Sequence, residues 1–154
     1  MSVSGTRSME DTRLSLERVI PVSADDLFDL WTDPSEIAKW WAPDGYGCFV
    51  DSLDARQGGR WRIILQKPDG TSIAMSGLYS NVDRPRSLTF TWAWEDGDGG
   101  RGHETEVTVK FEPVVGGTRL ALVQQPFEHS QARDRHYFGW SASFDRMTKY
   151  YANT

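Results

Sequence analysis

The C-terminal stretch Ser130–Tyr151 constrains the fold of this chain more than any other segment. Large apolar residues recur in it at steps of three and four, which places them on one face of an α-helix. They are Tyr137, Trp140, Phe144, Met147 and Tyr151. We expect Ser130 to be the N-cap, because its hydroxyl can accept a hydrogen bond from a free backbone N–H. A face this rich in aromatic rings requires a broad apolar surface to pack against.

Gly139 lies in the middle of this predicted helix, where glycine costs about 1 kcal/mol relative to alanine. We expect its missing side chain to face the sheet or a cavity. Close packing of a neighbour against the bare backbone is the simplest compensation for that cost. A ligand that approaches the backbone there is the alternative.

The middle of the chain has a period of two, which is typical of strands. Alternating apolar and polar residues predict seven of them: Leu14–Ile20, Tyr46–Ala55, Arg60–Gln66, Ser72–Val82, Leu88–Glu95, Glu104–Pro113 and Thr118–Gln125. Short links, several of which contain glycine or proline, indicate a mostly antiparallel meander. Two short helices follow the first strand, capped by Ser23 and Asp33, and the second is expected to run to about Trp41.

The predicted fold class is α+β, with a curved antiparallel sheet of six to seven strands around the long C-terminal helix. One face of such a sheet is apolar and must be covered, and this helix is the long amphipathic element available to cover it. Curvature around one helix leaves a space between the two. We expect a single domain over residues 13–154, preceded by a flexible polar tail at residues 1–12.

Charge and composition exclude several functional classes. A net charge of −5 and a pI of about 5.1 argue against nucleic-acid binding, which needs a basic surface. No apolar run approaches the ~20 residues of a membrane helix, so membrane insertion is not expected. The single cysteine, Cys48, cannot form an internal disulfide, which fits a reducing, cytoplasmic location. A homodimer is left open.

One glycine motif invites a nucleotide-binding interpretation. Gly97, Gly99 and Gly102 form the pattern G-x-G-x-x-G. Phosphate binding by this motif requires that a helix follows, because the helix N-terminus holds the phosphates. A predicted strand follows here, which favours a hairpin loop.

Three histidines, His103, His129 and His136, are the candidate acid–base or metal-binding groups. None has a histidine four residues away, and none joins Cys48 at metal-site spacing, so we expect no metal and no cofactor. His136 adjoins the apolar face of the helix. We expect it to be partly buried with a hydrogen-bond partner, rather than a catalytic acid or base.

Large aromatic residues and a few polar ones form the candidate ligand-binding site. Rings with few polar tips are typical of a small-molecule pocket, although a plain core accounts for any one of them as well. The candidates are Trp40, Trp61, Met75, Tyr79, Phe90, Trp92, Trp94, Gln124, His136, Tyr137 and Trp140. Among them Gln124, His136, Tyr79 and Tyr137 are expected to orient a ligand. No residue is assigned a catalytic role.

Short motifs are spread over residues 14–152: Trp31-Thr32-Asp33-Pro34, Trp40-Trp41, Arg56-Gln57-Gly58-Gly59-Arg60-Trp61, Gly77, Pro85 with Leu88, Phe90-Thr91-Trp92, Gly116-Gly117-Thr118-Arg119-Leu120 and Gly139-Trp140. Together they resemble the START-like, or SRPBCC, superfamily and within it the branch named after activators of the Hsp90 ATPase. The resemblance implies a helix-grip (START-like, Bet v-like) fold with a deep, mostly apolar cavity between sheet and helix. It implies no single activity, since members are reported as ligand binders, cyclases, self-sacrificing resistance proteins and co-chaperones.

Three functions follow from these observations. The first is non-catalytic binding of an apolar or aromatic small molecule, as a carrier or sensor. The second is an enzyme of the cyclase or hydrolase type, with His136 or a tyrosine as proton donor in the same cavity. The third is a co-chaperone that stimulates an Hsp90-type ATPase. It is the weakest, because the eukaryotic activators carry an additional N-terminal domain that this sequence does not contain.

Overall fold

Seven antiparallel strands curve around one long helix in the computed structural model, which describes residues 11–98 and 100–152. The strands are β1 (Leu14–Ile20), β2 (Gly47–Leu53), β3 (Arg60–Gln66), β4 (Ser72–Asp83), β5 (Ser87–Trp94), β6 (Thr105–Val114) and β7 (Gly117–Gln125). The helices are α1 (Ala24–Thr32), α2 (Pro34–Ile37) and α3 (Ser130–Ala152). The sheet order is β1-β7-β6-β5-β4-β3-β2, so β2 to β7 form a meander and β1 pairs with β7.

This architecture confirms the predicted helix-grip, α+β fold. The strands Leu14–Ile20 and Arg60–Gln66 have the predicted ends, and the C-terminal helix begins at the predicted residue, Ser130. Residues 1–10 of the predicted N-terminal tail lie outside the described residues. The carbonyl of Thr12 accepts a 2.9 Å hydrogen bond from the amide of Phe127, which ties the start of the domain to the loop before α3.

Side-chain caps fix where the three helices begin. Ser23 Oγ accepts from the amide of Asp26 at 3.2 Å, and Asp33 Oδ1 accepts from the amide of Ser35 at 2.9 Å, as predicted. At α3 the prediction of Ser130 as N-cap is wrong by one residue. Nδ1 of His129 accepts from the amide of Ala132 at 3.1 Å, so an imidazole nitrogen takes the role expected of the hydroxyl.

Tryptophan rings join the helices into one core over the inner face of the sheet. Trp31 of α1 stacks on Trp140 of α3, with ring centroids 5.8 Å apart and 17° between the planes. The ring centroid of Trp31 also lies 4.6 Å from that of Trp40, which follows α2. Phe144 and Met147 of α3 are fully buried beneath the sheet. Of the five residues predicted for the apolar face of the C-terminal helix, Trp140, Phe144 and Met147 therefore pack inward, whereas Tyr137 is exposed and Tyr151 is half-buried. No helix in the described ranges is long and apolar enough to cross a membrane.

Candidate functional site

A cavity of about 290 Å³ lies between the inner face of the sheet and α3. Strands β3 to β6 supply one wall, α3 supplies the opposite wall, and the segments after α2 and β7 close the sides. The lining residues are Trp41, Pro43, Leu65, Met75, Trp92, Trp94, His103, Thr105, Phe127, Glu128, Ala132, Arg135, His136, Gly139, Trp140 and Ser143. The wall is thus mainly aromatic and apolar, with a small number of polar groups.

Four tryptophans dominate the cavity wall and contact one another in pairs. Trp41 and Trp140 meet with ring centroids 5.4 Å apart and 78° between their planes. The ring centroids of Trp92 and Trp94 are 4.6 Å apart, with 86° between the ring planes. Edge-to-face contacts are favoured because the positive edge of one ring faces the negative face of the other. These pairs hold the rings in fixed orientations, so the apolar wall has a defined shape.

A buried polar network behind the wall positions Trp140. Its indole Nε1 donates to Gln124 Oε1 at 2.8 Å, and Gln124 Nε2 donates to Thr105 Oγ1 at 2.8 Å. The Thr105 hydroxyl in turn donates to the carbonyl of Trp92 at 3.3 Å. An indole can only donate, so the orientation of the Gln124 amide is determined. The network connects β5, β6, β7 and α3 and includes three residues of the cavity wall, Trp92, Thr105 and Trp140.

A second set of hydrogen bonds holds the segment after α2 against α3. Ser143 Oγ donates to the carbonyl of Trp41 at 3.4 Å, and Arg146 Nε donates to the carbonyl of Trp40 at 3.1 Å. The indole Nε1 of Trp41 donates to Met75 Sδ at 3.3 Å, and this bond links the segment after α2 to β4. Burial lowers the pKa of Arg146. These contacts keep the Trp41 ring in the wall.

His136 projects from α3 among three aromatic rings. Its ring centroid is 4.7 Å from Trp92, 4.8 Å from Phe127 and 6.0 Å from Trp94. Burial, with a smaller effect of the Arg135 charge, lowers the pKa of His136 from 6.5 to about 4, so the imidazole is neutral at pH 7. Its ring forms no hydrogen bond to any residue the structure describes. The predicted partner is therefore wrong, because aromatic rings occupy its surroundings.

Polar residues at the edge of the cavity are exposed. Nε2 of His103 donates to the carbonyl of Pro126 at 2.6 Å. Glu128 and Arg135 carry opposite charges and are both exposed beside the cavity.

Within residues 11–98 and 100–152, no cluster of three or more His, Cys, Asp or Glu side chains could hold a metal ion. On β2, burial raises the pKa of the Cys48 thiol to about 11, which keeps it protonated at pH 7.

Comparison with known proteins places this fold in a family. A family model described as "Activator of Hsp90 ATPase homolog 1-like protein" matches residues 21–152. The chain belongs to this AHSA1-like family. The AHSA1 protein from Silicibacter pomeroyi is 31% identical, with a TM-score of 0.83 over 91% of this chain and 97% of that one.

Two more distant structural neighbours show the shared fold alone. A Chromobacterium violaceum protein is 24% identical, with a TM-score of 0.82 over 90% of this chain and 95% of its own. A Mycobacterium smegmatis protein is 21% identical, with a TM-score of 0.79 over 92% of this chain and 91% of its own. No match is found among curated proteins.

Five of the eleven residues predicted for the site line the cavity of this AHSA1-like domain: Met75, Trp92, Trp94, His136 and Trp140. They come from β4, β5 and α3, which the fold brings together around one space. The other six predicted residues, Trp40, Trp61, Tyr79, Phe90, Gln124 and Tyr137, lie outside the wall.

Four of these six belong to the packed core. Trp40 is buried against Trp31, and its Nε1 donates to the carbonyl of Leu30 at 2.8 Å. Phe90 fills the space between Trp61 and Tyr79, with ring centroids 5.7 and 5.8 Å away. Burial raises the pKa of Tyr79. These side chains face inward as predicted, but neighbouring side chains fill the space that a ligand would need.

The remaining two are separated from the cavity for other reasons. Gln124 is fully buried behind the wall, where Trp140 and Thr105 occupy its amide. Tyr137 is 41% exposed and lies on another side of α3, beside Leu14 of β1. Adjacent helix residues differ by about 100° in direction, so His136 faces the cavity while Tyr137 does not.

Several wall residues were missed because the sequence pattern does not reveal loop paths. Trp41 neighbours the predicted Trp40, and Phe127 lies in the link before α3.

Gly139 lines the cavity, in line with the expectation that its missing side chain faces the sheet or a cavity. A Cβ placed on it would meet nothing within 4 Å. The expected close packing at Gly139 is therefore wrong. The backbone there borders open space, which is the arrangement that a ligand could use.

Proposed function

We propose that this AHSA1-like protein binds an apolar or aromatic small molecule between the sheet and α3, as a non-catalytic cytoplasmic carrier or sensor. The observation that supports this most is the cavity wall, in which Phe127 and the four tryptophans surround about 290 Å³. Small-molecule sites combine such apolar walls with a few polar groups. A cavity of about 150 Å³ holds benzene, so this one has room for two fused rings.

The position and protonation of the candidate proton donors support binding over catalysis. With a pKa of about 4, His136 is neutral at pH 7, so it has no imidazolium proton to donate and is a weak base. The tyrosines Tyr79 and Tyr137, the other candidate donors, lie outside the cavity wall. The co-chaperone interpretation has no specific support in the residues of this site.

Gly139 offers a test of cavity binding that does not disturb the core. Its φ lies outside the left-handed region, and a side chain there would enter open space. Leucine at this position should fill part of the cavity and raise helix propensity by up to about 1 kcal/mol. Gly139→Ala is the matched control, because it raises helix propensity similarly and occupies little of the cavity.

The measurement is equilibrium dialysis against one- and two-ring aromatic compounds, with a thermal melt of each protein. Gly139→Leu should fold at least as stably as the wild type and bind at least tenfold more weakly. Gly139→Ala should bind like the wild type. A stable Gly139→Leu variant with undiminished affinity would contradict binding in this cavity.

A further inference from the structure

Three of the six polar or charged residues in the cavity wall already donate hydrogen bonds within the protein. The Thr105 hydroxyl donates to the Trp92 carbonyl at 3.3 Å, and the Ser143 hydroxyl donates to the Trp41 carbonyl at 3.4 Å. His103 Nε2 donates to the Pro126 carbonyl at 2.6 Å. These groups shape the wall but have no free donor with which to select a ligand.

His136 and Trp92 are different. Neither the imidazole nitrogens of His136 nor the indole N–H of Trp92 forms a hydrogen bond to a described residue. The two rings are in edge-to-face contact, with their centroids 4.7 Å apart and 85° between their planes. Trp92 is only 5% exposed, but its Nε1 is not fully buried, so a solvent molecule or a ligand in the cavity can reach it. Trp94 also lacks a described partner, but it is 40% exposed and can bond to solvent. Two rings whose nitrogens have no described partner therefore lie in contact in the cavity wall.

The donors and acceptors of these two rings define a complementary ligand group. A neutral imidazole has one N–H donor and one acceptor nitrogen, whereas an indole has a donor only. A hydroxyl can donate to the imidazole nitrogen and accept from an N–H at the same time. A hydrocarbon would leave these groups unpaired in a desolvated wall, which is unfavourable.

Charge at the cavity favours a neutral ligand. Burial keeps the pKa of His136 low, so it offers no positive charge to a carboxylate at pH 7. Arg135 and Glu128 lie at the exposed edge with opposite signs, and of the two only the Arg135 charge acts on His136. A carboxylate beside His136 would lose hydration among Trp92, Trp94 and Phe127. The nearby cation, Arg135, is exposed to solvent, so its attraction for a carboxylate is weakened.

We propose, resting on the binding function above, that the ligand is a neutral aromatic of the phenol class. Its ring lies among the cavity tryptophans, and its hydroxyl hydrogen-bonds to His136 and Trp92. His136 is then the residue that selects the hydroxyl, while the other rings supply affinity without regard to it.

Three ligands that differ in one substituent test this proposal: 2-naphthol, 2-methylnaphthalene and 2-naphthoate. In equilibrium dialysis at pH 7 we expect the wild type to bind 2-naphthol at least about tenfold more tightly than either other compound. His136→Phe keeps a planar ring among its aromatic neighbours and removes both nitrogens. It should weaken 2-naphthol binding about tenfold and leave 2-methylnaphthalene binding unchanged.

Tyr137→Phe is the control, because it removes a hydroxyl from the adjacent helix residue outside the cavity. It should change none of the three affinities. Equal binding of 2-naphthol and 2-methylnaphthalene by the wild type would overturn this proposal and leave the binding function intact. Preference for 2-naphthoate would overturn it in favour of anion recognition. Binding of none of the three would contradict the binding function as well. If His136→Phe does not fold, the wild-type ratio decides.

Discussion

The indole Nε1 of Trp140 on α3 donates a 2.8 Å hydrogen bond to Oε1 of Gln124 on β7. Gln124 is fully buried and Trp140 is 6% exposed, so water cannot replace this bond easily. Trp140 also lines the cavity. The contact therefore joins the stability of the fold to the shape of the site.

Replacing Gln124 should reveal how much this hydrogen bond contributes to the free energy of unfolding. Gln124→Met keeps the side-chain volume but removes the acceptor of a buried N–H, so we expect a loss of about 1–3 kcal/mol in the free energy of unfolding. Urea denaturation measures it. Gln125→Met, at the exposed next position, should change stability by less than about 0.5 kcal/mol. An equal loss in a Trp140→Phe background would show that the bond contributes nothing.

Gly77 should tolerate no side chain. A Cβ there would lie 1.8 Å from the Thr91 carbonyl oxygen and 2.7 Å from Trp61 Nε1, which itself donates to that carbonyl at 3.1 Å. Because the backbone of β5 cannot move away without breaking the sheet, Gly77→Ala should destabilise the fold by at least about 3 kcal/mol. Gly139→Ala, which enters open space, should be neutral or stabilising in the same urea experiment. A Gly77→Ala loss below about 1 kcal/mol would contradict this packing.

His136 should make the fold sensitive to mild acid. Its pKa is about 4 when folded, against 6.5 for an ordinary histidine. Between these values the unfolded chain binds the proton and the folded chain does not, so stability is complete above pH 6.5 and falls as the pH approaches 4. The loss should approach about 3 kcal/mol.

The His136→Phe variant lacks this titrating group. Comparing its stability with that of the wild type therefore separates the effect of His136 from the effects of the carboxylates. The stability difference between wild type and variant, measured in urea from pH 4 to pH 8, should change below pH 6.5 and stay constant above it. A difference that does not vary with pH would mean that His136 remains hydrated in the folded protein.

The fold was predictable because each element shows its buried face in the order of its residues. In Arg60–Gln66 alternate residues are buried, as the alternation predicts. In α3 the apolar steps reach Trp140, Phe144 and Met147, which are all buried. These periods reflect local geometry and need no knowledge of the tertiary structure.

The site was less predictable because burial and cavity lining have the same sequence signature. Trp40 and Trp41 are adjacent rings, yet the first packs on Trp31 and the second borders the cavity. The path of the chain after α2 decides between them, and no period encodes that path. Phe127 was missed for the same reason, since it reaches the wall from a link before α3.

The seven tryptophan side chains allow the most direct test of ligand binding in this cavity. Trp41, Trp92, Trp94 and Trp140 line it, whereas Trp31, Trp40 and Trp61 do not. A ¹⁵N-labelled sample titrated with 2-naphthol reports all indole N–H signals in one NMR spectrum, each assigned through a Trp→Phe variant. We predict that the four cavity indoles show the largest shifts and saturate together. Largest shifts at the three core indoles, or no saturable shift at any tryptophan, would contradict the account.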